Sequence, residues 1–136
     1  MTYNLIGDIH GRNSWRQLVR TDMINIFLGD YLDPYDRDDL QVASAEYDNL
    51  QDIIRFKQQH PETILLLGNH DLHYLWDEHY SRYNAQYAER HAQLIREHLH
   101  LFQAAYAIGD HVLVTHAGVT RPWLQLAGIS EQQSAS

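Results

Sequence analysis

Four short segments of the chain carry residue types that bind cations and move protons: Gly7-Asp8-Ile9-His10-Gly11, Gly29-Asp30-Tyr31-Leu32-Asp33, Gly68-Asn69-His70-Asp71 and Thr115-His116-Ala117-Gly118. Carboxylate, imidazole and amide oxygen make a mixed O and N donor set, which suits Mn, Fe or Zn better than Ca. A carboxylate shared between two cations is the natural centre of such a site, because it neutralises both and holds them about 3.5 to 4 Å apart. The glycines beside the ligands let backbone approach the ions closely.

Something must bring these segments together. Residues 3–6, 24–28 and 63–67 are short apolar runs, each followed by Gly and a polar residue, as buried parallel strands are. Between them, Ser14 is placed to cap a short helix to Arg20. Leu40, Ala43, Tyr47, Leu50 and Ile54 share one face of a longer helix that stops before Pro61, with Asp36, Asp38 and Asp39 as its capping residues. Strand and helix alternate, so the chain reads as α/β with a parallel sheet, whose carboxyl edge is where loops converge on a ligand. Helical spacing returns over 72–80 and 84–102, covering one face of the sheet. Residues 104–108 and 112–115 flank Gly109-Asp110-His111 as a hairpin, and Pro122 opens a final helix ended by Gly128. One domain over residues 1–129 with a disordered tail, 130–136, is expected.

Composition narrows the function. A length of 136 residues allows one domain, and the absence of Cys removes disulfides, thiolate metal sites and a cysteine nucleophile. Eighteen acidic against ten basic side chains leave a net charge of −8, which disfavours nucleic acid as the main partner. The N-terminus lacks a secretory pattern and no apolar run reaches membrane-spanning length, so a cytoplasmic address is expected and no membrane partner. Ten histidines beside the acidic excess point again to metal chemistry.

The ordered set GDIHG, GDYLD, GNHD and THAG resembles the calcineurin-like metallophosphoesterases, in particular the bacterial relatives of the protein serine/threonine phosphatases; the resemblance spans Gly7 to Gly118. It implies an α/β/β/α sandwich and a metal-dependent phosphoesterase that uses two divalent ions, Mn, Fe or Zn, on a phosphomonoester or phosphoanhydride. By the same resemblance Asp8 and His10 are ligands of the first metal, Asp30 is the bridge, and Asn69 and His116 are ligands of the second. His70 becomes the general acid, with Asp33 orienting its imidazole. The chemistry agrees: the charge of a phosphoester must be cancelled, hydroxide supplied near neutral pH, and the leaving alkoxide protonated.

The chain also departs from the family. Phosphatase-type members follow the bridging-aspartate motif with an Arg that clamps phosphate, whereas Asp33 is followed here by Pro34-Tyr35-Asp36, leaving Arg12 or Arg37 as substitutes. A later metal-binding His has no counterpart after His116, so the sandwich is expected to be incomplete in its C-terminal half. Either a second copy then covers the open apolar face and lends an imidazole such as His111, or the second metal is weakly held and often replaced by water. Two alternatives follow: a truncated or degenerate member that binds metal or a partner without turnover, and a nucleic-acid-directed phosphodiesterase. His73, His79, His91, His98, His100 and His111 read as surface or satisfied core residues. Tyr74, Trp76, Tyr80, Tyr83 and Tyr87 read as core or sheet-covering, since Arg82 is the one Lys or Arg among them and a base-stacking platform interleaves several.

Overall fold

The structure, a computed structural model, describes residues 2–35 and 40–117, the backbone alone for 40–43. The apolar runs form β1 (Tyr3–Ile6), β2 (Ile24–Phe27) and β3 (Ile64–Leu66), linked by α1 (Trp15–Leu18) and α2 (Leu40–Gln59). Beyond them lie α3 (Asn69–Leu72), α4 (Ala88–Glu97), β4 (Phe102–Gln103), β5 (Ala105–Ile108) and β6 (Val112–Thr115). The first four strands form one parallel sheet in the order β1-β2-β3-β4; β5 and β6 pair as an antiparallel hairpin.

Register explains the layering. Phe27 pairs with Leu65 and Ile26 with Ile64, so side chains alternate between two faces. Ile6, Phe27, Leu65 and Phe102 pack with Trp15 of α1, Leu50 and Ile53 of α2 and Leu94 and Ile95 of α4. Ile26, Ile64 and Leu66 on the opposite face pack with Tyr106, Ile108 and Val114 of the hairpin. Each such aliphatic side chain, fully buried, contributes about 1.5 to 3 kcal/mol relative to exposure. Helices, sheet and hairpin make an α/β/β layering that agrees with the metallophosphoesterase sandwich. No helix among the described residues is long and apolar enough to cross a membrane.

The helical expectation over 72–80 fails, and that over 84–102 holds only in part. Over 72–80 the helix ends at Leu72, because tertiary bonds hold the next residues instead: Tyr74 donates its hydroxyl to Asp33, and the Tyr80 N–H donates back to His73 Nδ1 at 3.0 Å. Over 84–102 the helix starts only at Ala88, after a turn in which Asn84 Oδ1 accepts the Tyr87 N–H at 3.1 Å. Phe102 leaves the helical path to pair with Leu65 as a strand. Ser14 precedes α1 without bonding it through its side chain. The capping residues Asp36, Asp38 and Asp39, the final helix at Pro122 and Gly128, and the 129/130 boundary lie outside the described residues.

Candidate metal centre

β1, β2, β3 and β6 each deliver a polar loop at the carboxyl end of the strand, and the loops are tied by backbone before any side chain acts. The N–H groups of Ile9 and His10 both donate to the Asp30 carbonyl, at 3.1 and 2.8 Å, and the Gly11 N–H donates to that of Tyr31 at 2.8 Å. His10, Asp30 and Asp33 all sit at positive φ, +45°, +54° and +65°. Non-glycine residues adopt that region rarely, and such strain persists only where surrounding contacts over-determine it.

Asp71 is one of those contacts. Its fully buried carboxylate accepts three backbone N–H groups, from Asp30 at 2.8 Å, Tyr31 at 2.9 Å and Gly68 at 2.9 Å. It thereby fixes the turn carrying Asp30 to the turn carrying Asn69. Burial, with the charge of Asp30 beside it, pushes the Asp71 carboxyl up to about 7, against the pull of the three N–H bonds. Within the GNHD segment nothing in the sequence marks this residue, since its three partners lie in the backbone of two turns. The two turns also approach so closely that only glycine fits: a Cβ on Gly68 would lie 2.1 Å from Asp30 Oδ1, and one on Gly29, at φ +104°, 2.5 Å from Gly68 N.

Five side chains converge in this frame, all of them expected ligands. His10 Nδ1–H donates to the Leu32 carbonyl at 2.9 Å, which leaves Nε2 3.7 Å from Asp8 Oδ2 and 3.7 Å from Asp30 Oδ2. From the other side, His116 Nδ1–H donates to the Leu28 carbonyl at 2.8 Å, and its Nε2 lies 3.1 Å from Asp30 Oδ2 and 3.2 Å from Asn69 Oδ1. Asp30 Oδ1 meanwhile accepts the His70 N–H at 2.9 Å. Both imidazoles thus use one nitrogen on a backbone carbonyl and turn the other toward the same carboxylate oxygen, which is how metal-ligating histidines are oriented. Donor atoms 3 to 4 Å apart are what ligands on a common ion about 2.0 to 2.2 Å away would show. Asp8, His10 and Asp30 form one group able to hold an ion.

The electrostatics fit a cation. Burial would raise the Asp30 carboxyl, but the bond to His116 and the N–H of His70 together hold it below its ordinary value. Reciprocally, the bond to Asp30 carries His116 up to about 9 against the effect of burial, so a positive imidazolium lies against this carboxylate.

Beside this group lies a second one. His70 Nδ1–H donates to Asp33 Oδ2 at 2.9 Å, as sequence analysis expects, and its ring centroid is 5.3 Å from that of His10. The same Asp33 oxygen lies 2.6 Å from Nε2 of His73, and Asp33 Oδ1 accepts the Tyr74 hydroxyl. Burial works to raise the Asp33 carboxyl; the bonds from His73, Tyr74 and His70 outweigh it and lower it. Asp33 and His73 are both fully buried, and Asp33, His70 and His73 together could also hold an ion. The role of His73 was missed, although the His70–His73 spacing puts both on one side of a helical turn and was the available signal.

Arg12 is turned onto its own loop, donating to the carbonyls of Ile9 at 3.2 Å and Asp8 at 2.9 Å, so it braces the ligand segment. Arg37 lies outside the described residues. His91 is a core residue with one ring nitrogen satisfied: its Nε2 lies 2.8 Å from Glu46 Oε1 between α4 and α2, while its buried Nδ1 makes no hydrogen bond among the described residues. Another cation does stand near the site: Arg82 Nε donates to the Asp33 carbonyl at 3.1 Å, with its guanidinium 4.0 Å above the Tyr35 ring.

A family model described as calcineurin-like phosphoesterase matches residues 1–134. No curated protein and no solved structure matches the chain.

Proposed function

We propose, from the premise that the chain belongs to the calcineurin-like phosphoesterase family, that it is a dinuclear metal-dependent hydrolase of phosphomonoesters or phosphoanhydrides, akin to the bacterial relatives of the protein serine/threonine phosphatases. The observation that carries the reading is the arrangement at Asp30 Oδ2, approached from two sides by imidazole nitrogens whose partners on the same rings are backbone carbonyls. Asp8 and His10 would hold one ion, Asn69 and His116 the other, and Asp30 both. When bound, such ions supply hydroxide near neutral pH and neutralise the phosphoryl oxygens.

The residues do the rest. Hydrolysis forms one P–O bond from water and breaks the ester P–O bond, and the departing oxygen needs a proton. His70 is the donor: Asp33 accepts from its Nδ1 and fixes the ring, leaving the other nitrogen to carry the proton. Arg12 holds the Asp8–His10 loop through its carbonyls. Polymeric nucleic acid is disfavoured as substrate by the net charge of −8.

Elemental analysis of the purified chain, paired with turnover of an aryl phosphate before and after chelation, tests the reading. Bound Mn, Fe or Zn and turnover that returns on adding metal are expected, and Asp30→Asn should remove most of both. Turnover unchanged by chelation and by Asp30→Asn would overturn it, and metal bound without turnover of any phosphoester would move the chain to the class of non-hydrolytic binders.

A further inference from the structure

Three aromatic side chains among the described residues are large and exposed, Tyr35, Trp76 and Tyr80, and two of them sit against the site histidines. Tyr80 is 49 % exposed, yet its backbone is fixed by the N–H bond to His73 Nδ1, and its ring centroid lies 6.1 Å from His70 and 5.9 Å from His73. Tyr35 is 66 % exposed with its centroid 5.2 Å from His10. Arg82, two residues beyond Tyr80, crosses to Tyr35 with its guanidinium 4.0 Å from that ring and is anchored on the Asp33 carbonyl at 3.1 Å. Tyr80, Arg82 and Tyr35 thus form an arc beside the His10–His70 pair. The neighbouring aromatics are already stacked: Tyr74 on Tyr83 at 4.8 Å, and Tyr83 on His79 at 3.6 Å with rings 5° from parallel.

We infer that this arc is a subsite for a flat aromatic group on the leaving side of the phosphoester, so that the substrates are small phosphomonoesters whose alcohol carries a nucleobase or an arene; the inference rests on the phosphoesterase reading above. The leaving side follows from place, since Tyr80 adjoins His70 and His73. The aromatic class follows from chemistry. Tyr80, fixed at its backbone and half-exposed, offers ring surface on which another flat ring can pack, and the guanidinium of Arg82, stacked on Tyr35, adds a planar cation that attracts one. A monomer rather than a nucleic acid strand follows from charge, because Arg82 is the one cation named in the arc and the chain as a whole carries −8.

Matched substrate pairs on the metal-loaded full chain test this. Adenosine 5′-monophosphate and ribose 5-phosphate leave through the same kind of primary oxygen and differ by the base. Benzyl phosphate and cyclohexylmethyl phosphate likewise differ in a flat against a saturated ring. The flat member should lead in kcat/KM by about 10-fold to 100-fold in at least one pair, the range one or two stacking contacts supply, and which pair shows the lead separates nucleoside from arene. Tyr80→Leu combined with Tyr35→Leu, both at exposed positions, should bring that ratio to within about twofold of one. Adenosine titrated by calorimetry against ribose, and benzyl alcohol against cyclohexylmethanol, give a reading that needs no turnover. If no phosphoester is hydrolysed, the phosphoesterase reading falls, yet flat-ring binding that the double variant abolishes still supports the subsite. Equal kcat/KM within both pairs, a ratio retained in the double variant, or no preferential binding of either flat alcohol would overturn it.

Discussion

Gly7 and Gly68 look alike in the sequence, each standing at the end of a strand immediately before an expected metal ligand, yet the structure assigns them opposite tolerances. Gly68 has φ −98° and ψ 174°, a conformation open to any residue, so backbone strain does not require glycine there. Space does. A Cβ would lie 2.1 Å from Asp30 Oδ1, 2.6 Å from the Asp30 nitrogen and 2.8 Å from its Cγ, where real Cβ contacts essentially never fall below 3.0 Å. Relief needs a movement of about 1 Å between the two turns, by the difference between those distances. That breaks the two N–H bonds that Gly68 and Asp30 make to Asp71 Oδ2. Two buried donors left unpaired at about 1 to 3 kcal/mol each, plus about 1 to 3 kcal/mol of overpacking, give roughly 3 to 6 kcal/mol for Gly68→Ala once partial relaxation is allowed. For a chain of this length that lowers Tm by about 10 to 20 °C. Around Gly7 nothing lies within 4 Å of the added carbon and φ is not positive, so Gly7→Ala should be neutral or stabilise by about 0.4 to 1 kcal/mol through the unfolded chain. Thermal melts with metal counting on both variants provide the check: Gly68→Ala should lose metal as well as stability, and Gly7→Ala neither. Equal damage from the two substitutions, or a Gly68→Ala protein with native Tm and metal content, would refute the packing argument.

The metal-free chain should be most stable in mild acid. His116 is raised from an ordinary 6.5 to about 9, so its contribution is complete below pH 6.5 and disappears as pH rises through 9. Asp71, raised from 3.8 to about 7, acts in the same direction between pH 4 and 7, and the Asp30 and Asp33 contributions are lost only in stronger acid. Melting curves of chelated protein should therefore fall from pH 5 to 9, while the benefit of added metal grows over the same range, since ligands must be deprotonated; a flat difference between the two curves would refute this. His70→Ala should cost about 10² to 10⁴-fold in turnover on alkyl phosphates and far less on activated aryl phosphates, because proton donation matters only for a poor leaving group. His73→Ala, which removes a partner of Asp33 rather than the acid itself, should show the same leaving-group bias at about 10 to 100-fold with metal content intact, and loss of metal would assign His73 to holding an ion instead.

The sequence by itself determined the three parallel strands, the long helix and the four ligand loops, because apolar periodicity and the Gly-plus-polar ends are local signals that burial then rewards. The convergence of Asp8, His10, Asp30, Asn69 and His116 was legible for the same reason: each lies at or just beyond a strand end, and those ends come to one edge. What lay outside that reach depends on partners far away along the chain. Asp71 could be seen as the acceptor for the Asp30 N–H only once residues 41 apart were brought together, and His73 as a neighbour of Asp33 only when the helix expected over 72–80 gave way after Leu72. Its spacing was helical, yet bonds from the Tyr74 hydroxyl to Asp33 and from the Tyr80 N–H to His73 outweighed a propensity worth only tenths of a kcal/mol per residue. The same holds for the two glycines and for the exposure of Tyr35 and Tyr80: residue type states what a side chain can do, and only the approach of another segment decides whether it has room, a partner or open surface.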